Sequence, residues 1–389
     1  MENRSKIIYL DNAATTPVHP KVVEAMLPYF TDFYGNPSSI HQIGKKALGA
    51  VERARTIIAQ SLNCEPSEIV FTSGGTESDN LALRGIMSAS ERTELITSNA
   101  EHHAIGHTAE DLQHSGTELS MLPVTIKGTV DYDKLEEKAD QNTALISLMH
   151  VNNEIGSVTD LERVVETGKK VGALVHSDAV QSFTKLDLDT QLLPIDLLSM
   201  ASHKINGPKG VGALFVRKGI RIHGVQTGGS QEKKRRGGTL NVPGIVGFGE
   251  AVRIAMEEKS ERLNHLNNLK TLLLRKLTET FGDRLIHNHP ENSSPHILSV
   301  SFKEELGIDG QLLLMKLDMA GLCVSSGSAC SAGTITPSHV LKSIGRSDYL
   351  ASSAVRMSFG YQNTEDEILQ TVSILKEVFH SLKNADEVI

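Results

Sequence analysis

Residues able to do chemistry gather at the ends of apolar runs in this chain. Lys204 follows one such run, in Ser202-His203-Lys204, and opens the stretch Ile205-Asn206-Gly207-Pro208-Lys209-Gly210. A lysine there is either a solvated turn residue or an amine that burial strips of its proton. The second kind forms a Schiff base with an aldehyde cofactor. Asp178, in Val175-His176-Ser177-Asp178-Ala179-Val180-Gln181, ends another run. It either caps the helix that follows or meets a cation such as a protonated pyridine nitrogen, because an unpaired charge is costly to bury. The two residues stand 204 − 178 = 26 positions apart, with one apolar run, Ile195–Ala201, between them, so both can end neighbouring strands.

Phe71-Thr72-Ser73-Gly74-Gly75-Thr76-Glu77-Ser78 reads as strand, double glycine and helix start. Free amides and the positive dipole end of a helix suit a phosphate there. The spacing is neither a Walker loop nor a dinucleotide fingerprint. In Glu101-His102-His103, His102 offers a flat ring for stacking; alternatively His103 and His107, four apart on a helix, match a zinc spacing with no evident third ligand beyond the distant His114. Asn152-Asn153-Glu154 ends a further run and is either turn chemistry or a set of ligand contacts. Arg356, alone in Ala354-Val355-Arg356-Met357-Ser358-Phe359, calls for a carboxylate from protein or ligand.

Cys330 lies in Ser325-Ser326-Gly327-Ser328-Ala329-Cys330-Ser331-Ala332-Gly333-Thr334, where every neighbour is small. Such a segment can move and shields a thiol poorly, and an exposed thiol is a hazard unless it is used. Cys323 sits in an apolar run and reads as a core residue, and Cys64, beside Glu65 and Pro66, reads as inert. Lys233-Lys234-Arg235-Arg236 is one short basic run in an acidic chain and reads as a solvated loop.

These residues need a scaffold. Apolar runs at Glu68–Thr72, Glu94–Thr97, Ala144–His150, Ala173–His176, Ile195–Ala201 and Gly212–Val216 predict strands, with helices predicted at Glu77–Arg84, Ala104–His114 and Asp160–Val171. Alternating strands and helices imply a mostly parallel α/β sheet, whose ligands bind beyond the carboxyl ends of the strands. Ile245–Leu277 predicts one long helix between domains. A strand at His296–Phe302, a helix at Gly310–Ala320 and a terminal helix at Thr364–Leu382 predict a smaller α+β domain.

With 389 residues the chain can build two or three domains, or a large one and a small one. Absence of Trp, 4% aromatic residues and a net charge of −8 argue against a nucleic-acid surface. Three cysteines in so long a chain argue against a disulfide framework and for a reducing compartment. The start, with Glu2, Arg4 and Lys6, is not a secretory signal, and no apolar stretch approaches a membrane span, so a cytoplasmic protein is expected.

Taken in order, nine segments resemble the cysteine desulfurases of the NifS/IscS type, in the class-V aminotransferase group of fold-type I pyridoxal-phosphate enzymes. They are Tyr9 to Pro17, Gly35 to Ser39, Thr72 to Asn80, Glu101-His102, His150 to Gly156, His176 to Gln181, Ser202 to Gly210, Arg236 to Val242 and Ser325 to Cys330. The resemblance implies an α/β fold of PLP-dependent transferase type I. A mostly parallel seven-stranded sheet would fill a large domain over residues 15–255, and residues 1–14 plus 256–389 would form a small domain carrying a mobile cysteine segment, 325–334.

It also implies roles. Lys204 is similar to the lysine that carries pyridoxal 5′-phosphate, Asp178 to the partner of the ring nitrogen, and Gln181 to the group bonding the ring hydroxyl. His102 matches a ring-stacking histidine that also moves protons, and Gly75, Thr76 and His203 match phosphate contacts. Thr239 resembles a threonine reaching the phosphate of the other subunit, which implies a homodimer. Asn153 and Arg356 match the pair that binds the L-cysteine carboxylate, with Asn36 a further candidate, and Cys330 matches the nucleophile. Relatives commonly place a serine three residues before the lysine; here Ala201 stands there and Ser202 follows as the candidate phosphate contact. The products implied are L-alanine and a Cys330 persulfide, passed to a scaffold for iron–sulfur cluster assembly or to a tRNA-thiolation enzyme, with selenocysteine cleavage a close variant. An aminotransferase or lyase on the same fold would have no need of Cys330, and a non-catalytic binder no need of Lys204, Asp178 and Cys330 together.

Overall fold

The computed structural model describes residues 7–327, 330–331, 334–335 and 337–386, with the backbone alone at 330–331, 334–335 and 383–386. Strands β1 (Ile69–Thr72), β2 (Glu94–Ser98), β3 (Glu118–Leu122), β4 (Thr143–Ser147), β5 (Leu174–Asp178), β6 (Leu197–Ala201) and β7 (Gly212–Val216) form one sheet. Its order is β1-β7-β6-β5-β4-β2-β3. Only β7 runs against its neighbours, β1 and β6; the other pairs are parallel.

Continuous apolar runs are what a sheet covered on both faces requires, and successive residues here divide between two cores. Phe71, Ile96, Ile146, Leu198 and Phe215 face one core, with Ala47, Val51 and Ile58 of helix α1 (Gln42–Ser61). Val70, Leu95, Leu145, Leu197 and Leu214 face the other, with Leu81 and Ile86 of α2 (Gly75–Met87) and Ile105 of α3 (His103–His114). A one-residue slip in any of these strands would exchange its two sets of side chains.

A second, antiparallel sheet has the order β10-β9-β8, built from β8 (Leu285–His287), β9 (Ile297–Phe302) and β10 (Val355–Ser358). Its core holds Phe281, Phe302 and Phe379 with ring centroids 5.3–5.7 Å apart. The N-terminal pair Ile8–Tyr9 lies parallel to Leu322–Cys323 on this side of the molecule.

Two expectations need correction. The single helix expected over Ile245–Leu277 is two, α4 (Val242–Glu257) and α5 (Lys259–Phe281). Glu258 (φ −96°, ψ 6°) leaves the helical region between them, which lets Ile245, Phe248 and Val252 join one core and Leu266, Leu269 and Leu273 another. The basic run is not simply solvated: Arg236 pairs with Glu77 at 2.8 Å across 159 residues, with both side chains mostly covered.

Candidate active site

Strand ends converge on a cleft of about 390 Å³. β5 delivers Asp178, β6 delivers Ala201 and then Lys204 through the turn Ser202–Lys204, and the chain leaving β4 delivers Met149 and Asn153. The start of α2 brings Gly75 and Thr76, the N-cap of α3 brings His102, the opposite sheet brings Arg356 from β10, and Ala13-Ala14 closes the wall. This is the carboxyl end of the parallel strands, where such sheets bind ligands. A larger cavity of about 570 Å³ lies elsewhere, around the Arg55–Glu232 ion pair, and holds none of the candidates.

Lys204 Nζ donates to the carbonyls of Ala13 at 2.5 Å and Ala14 at 2.7 Å. Burial, reinforced by the Arg356 charge and opposed by Asp178 and Asp11, brings its amine down to about 8. About a tenth of it is therefore unprotonated and nucleophilic at neutral pH, far more than for an ordinary lysine. Asp178 accepts from the Val180 N–H at 2.8 Å; burial raises its carboxyl to about 6, against the Val180 bond and the Lys204 charge. Gln181 donates from Nε2 to the Ala13 carbonyl at 2.9 Å, and its Oε1 lies 3.2 Å from His296 Nε2.

His102 accepts at Nδ1 from the Ala104 N–H at 3.1 Å as the cap of α3. Burial, with the nearby Lys204 charge, lowers its ring to about 4. The neutral ring therefore carries its proton on Nε2. His203 is likewise lowered to about 4, by burial and then Lys204, and meets Thr15 Oγ1 at 3.1 Å. Arg356 donates from Nη2 to Asp11 at 2.8 Å and from Nη1 to the Asn153 carbonyl at 3.0 Å, while its buried Nε has no partner.

The residues fit pyridoxal phosphate on three counts. No side chain caps the first turn of α2, which leaves its amides open to an anion beside Gly75, Thr76 and His203. A Cβ on Gly75 would stand 2.8 Å from Val180 Cγ2, so glycine permits this close packing of the helix start on the strand end. A primary amine and a buried strand-end carboxylate open on the same space.

Three candidates lie elsewhere. Ser202 is fully buried, and its Oγ is wedged against Gly207 with no hydrogen-bond partner. Ala201 and His203 line the cleft on either side of it, so the hydroxyl is turned away from the open helix start. Asn36 and Thr239 line a separate depression of about 320 Å³, and Asn36 Oδ1 accepts from the Ser38 N–H at 2.9 Å. The Cys330 side chain lies outside the described residues; its backbone pairs with Ile335. Cys64 and Cys323 are unpaired, and burial pushes the Cys64 thiol up to about 12 and raises Cys323. The His103 and His107 rings stack at 4.8 Å, and among the described residues no three His, Cys, Asp or Glu side chains form a metal-holding group.

Sequence reasoning missed Asp79, Glu101 and Asp11. Asp79, one turn into α2, lines the cleft with its Oδ1 buried and unpartnered, 3.8 Å from His176 Nε2. Burial and the neighbouring Asp178 charge raise its carboxyl well above the usual range. Glu101 accepts from Ser98 Oγ at 2.7 Å and from the Met149 N–H, and burial raises it to about 8. Helical spacing from Gly75 was the available signal for Asp79; for Glu101 and Asp11 nothing in the local pattern distinguishes them from solvated acids.

The aminotransferase class-V family model matches residues 8–370. Cysteine desulfurase IscS of Methanosarcina thermophila is 41% identical over 386 residues, covering 99% of this chain and 95% of that one. Cysteine desulfurase IscS of Dictyoglomus turgidum is 39% identical over 378 residues, covering 97% and 95%. A solved structure described as a NifS-like protein superposes with a TM-score of 0.90 at 37% identity, covering 97% of this chain and all of that one.

Proposed function

The chain belongs to the class-V aminotransferase family, and from that premise we propose that it is a pyridoxal-phosphate-dependent cysteine desulfurase, taking sulfur from L-cysteine onto Cys330 and releasing L-alanine. The observation that carries the reading is the convergence of Lys204, Asp178 and the uncapped start of α2 on one cleft. When bound, the cofactor supplies an electron sink for the charge left by loss of an amino acid's Cα proton.

The side chains divide the work. Lys204 would hold the cofactor, and its amine would accept the Cα proton; its lowered basicity suits both tasks. Asp178 keeps the ring nitrogen protonated, since its carboxylate is stable in burial only beside a cation. Gln181, whose amide donates to the Ala13 carbonyl, would offer its second N–H to the ring hydroxyl. His102 would stack on the ring, and it holds its proton on Nε2. The first amides of α2, with Gly75, Thr76 and His203, hold the phosphate, and Ser202 is left out because its hydroxyl faces Gly207. Arg356 and Asn153 bind the substrate carboxylate; the unpartnered Arg356 Nε is a donor awaiting an acceptor. The Cys330 thiolate attacks the substrate sulfur. An S–S bond forms as the C–S bond breaks, the electron pair left on Cβ takes a proton, and the proton that Lys204 removed returns to Cα to complete alanine, with no outside oxidant or reductant consumed.

A homodimer is part of the proposal. Asn36 and Thr239 share a depression outside their own chain's cleft, which supports the partner subunit's Thr239 reaching the phosphate. The persulfide would pass to an acceptor protein serving iron–sulfur cluster assembly or tRNA thiolation. A cytoplasmic setting fits unpaired Cys64 and Cys323, and no helix among the described residues is long and apolar enough to cross a membrane. The test is alanine release from L-cysteine with a reductant, for cofactor-loaded wild type beside Cys330→Ala. Alanine from the first and little from the second is expected. No alanine from the loaded wild type would sink the reading.

A further inference from the structure

One buried carboxylate outside the cleft wall touches both flanks of the segment that carries Cys330. On the N-terminal flank, Ser325 exchanges two backbone hydrogen bonds with Arg356, at 2.7 and 3.2 Å. Two residues on, Gly327 packs directly on Glu154: a Cβ there would drive into the Glu154 carboxylate and come within 3.1 Å of Ser338 Cβ. On the C-terminal flank, Ser338 donates from Oγ to Glu154 Oε2. Glu154 is itself fixed. Its N–H donates to Asn152 Oδ1 at 2.9 Å, and Asn152 Nδ2 donates in turn to the Ala100 carbonyl at 2.9 Å. Glu154 is 6% exposed and does not line the cleft, although its neighbour Asn153 does.

We propose that Glu154 is a positioning residue for the sulfur-accepting thiol, clasping Gly327 and Ser338 so that the Cys330 segment leaves and rejoins the fold beside the strand end that bears Asn153. The proposal rests on the reading of Cys330 as nucleophile. Joining the ends of a chain segment restricts where its middle can be and raises the effective concentration of a group it carries. Placement on the scale of an ångström governs whether a nucleophile meets its target. A glycine is required at 327 by close approach alone, which explains a residue whose backbone conformation is otherwise open to any side chain. Burial raises the Glu154 carboxyl to about 7, opposed by the Ser338 bond and the Arg356 charge. Ser338 is a suitable partner in either protonation state, because a hydroxyl both donates and accepts.

The test uses the cofactor-loaded enzyme with Glu154→Ala, Gly327→Ala, Ser338→Ala and Glu154→Gln. Two quantities are read: the change in cofactor absorbance on adding L-cysteine, which reports substrate binding, and the rate of alanine release. Expected is an unchanged absorbance response with alanine release slowed about ten- to a hundredfold in the three clasp-breaking variants. Glu154→Gln, which can still accept from Ser338, recovers most of the rate. Ser338→Ala also removes the cap that receives the Leu341 N–H, so Glu154→Ala and Gly327→Ala carry the comparison. Wild-type rates in those two, with Cys330→Ala inactive, overturn the clasp. Rates that fall only in step with the absorbance response also overturn it, because the damage then lies in the cleft. Failure of the underlying reading looks different: Cys330→Ala itself would release alanine at the wild-type rate.

Discussion

The cleft and the Cys330 segment solve opposite problems. In the cleft the candidate groups hang from regular elements: Asp178, buried, closes β5, Lys204, half-buried, follows β6 within four residues, and His102 caps α3. Burial there moves proton affinities, bringing the Lys204 amine down to about 8 and the His102 ring to about 4. The Cys330 segment joins the other sheet through the pairing of Ser325 with Arg356 of β10, and its residues from 325 to 334 are all of small types. Proton chemistry needs a fixed and dry site, whereas a thiol that must meet both substrate and acceptor needs reach.

Breaking the cleft should have the largest effect. Lys204→Ala, with Cys330 untouched, should lose covalently held cofactor and fall on the order of a thousandfold or more in alanine release, read by absorbance and by amino-acid analysis. A near-normal rate would mean that the thiol side needs less of the cleft than the comparison supposes. Asp178→Asn comes next, at roughly a hundred- to a thousandfold, with the cofactor still bound but its ring no longer held protonated; a pH titration of its absorbance would show the change.

Glu101→Gln sharpens the account of burial. The folded-state carboxyl of Glu101 is raised from 4.5 to about 8, so between those values the folded chain keeps a proton that the unfolded chain has lost. The wild type therefore loses stability from this group as pH rises through that window, by up to about 1.4 kcal/mol per pH unit. Glu101→Gln keeps the acceptor for Ser98 and the Met149 N–H without that loss, so its unfolding free energy should gain on the wild type from pH 5 to 8. Parallel curves would contradict the raised value. The smallest effect belongs to Ser202→Ala: removing a buried hydroxyl without a partner should leave cofactor affinity unchanged and stability equal or better by about 1 kcal/mol.

Several parts of this architecture were legible in the chain itself. β7 is the apolar run Gly212–Val216 without adjustment, and Asp178 and Lys204 were placed at strand ends by runs buried on both faces. Strand β3 was not, because its residues are half-exposed at a sheet edge and include Glu118 and Ser120, which erase the apolar signal. The break at Glu258 carries neither Gly nor Pro; helical periodicity continues through it, and only the separation of the two cores divides the helix. Ser202 matched its place by proximity to the motif, but the direction of a side chain depends on Gly207, which packs against it from the other side. Arg236 looked solvated because its partner, Glu77, is 159 residues away. Long-range pairing decides burial and charge, and local pattern does not contain it.

The central claim is that the sulfur of L-cysteine moves onto Cys330. Mass spectrometry of the peptide containing Cys330, after one turnover with sulfur-labelled L-cysteine and no reductant, tests it directly. One labelled sulfur on Cys330 for each alanine released is the predicted result. Alanine released with the label on Cys64 or Cys323, or in solution as sulfur not bound to the enzyme, would contradict it.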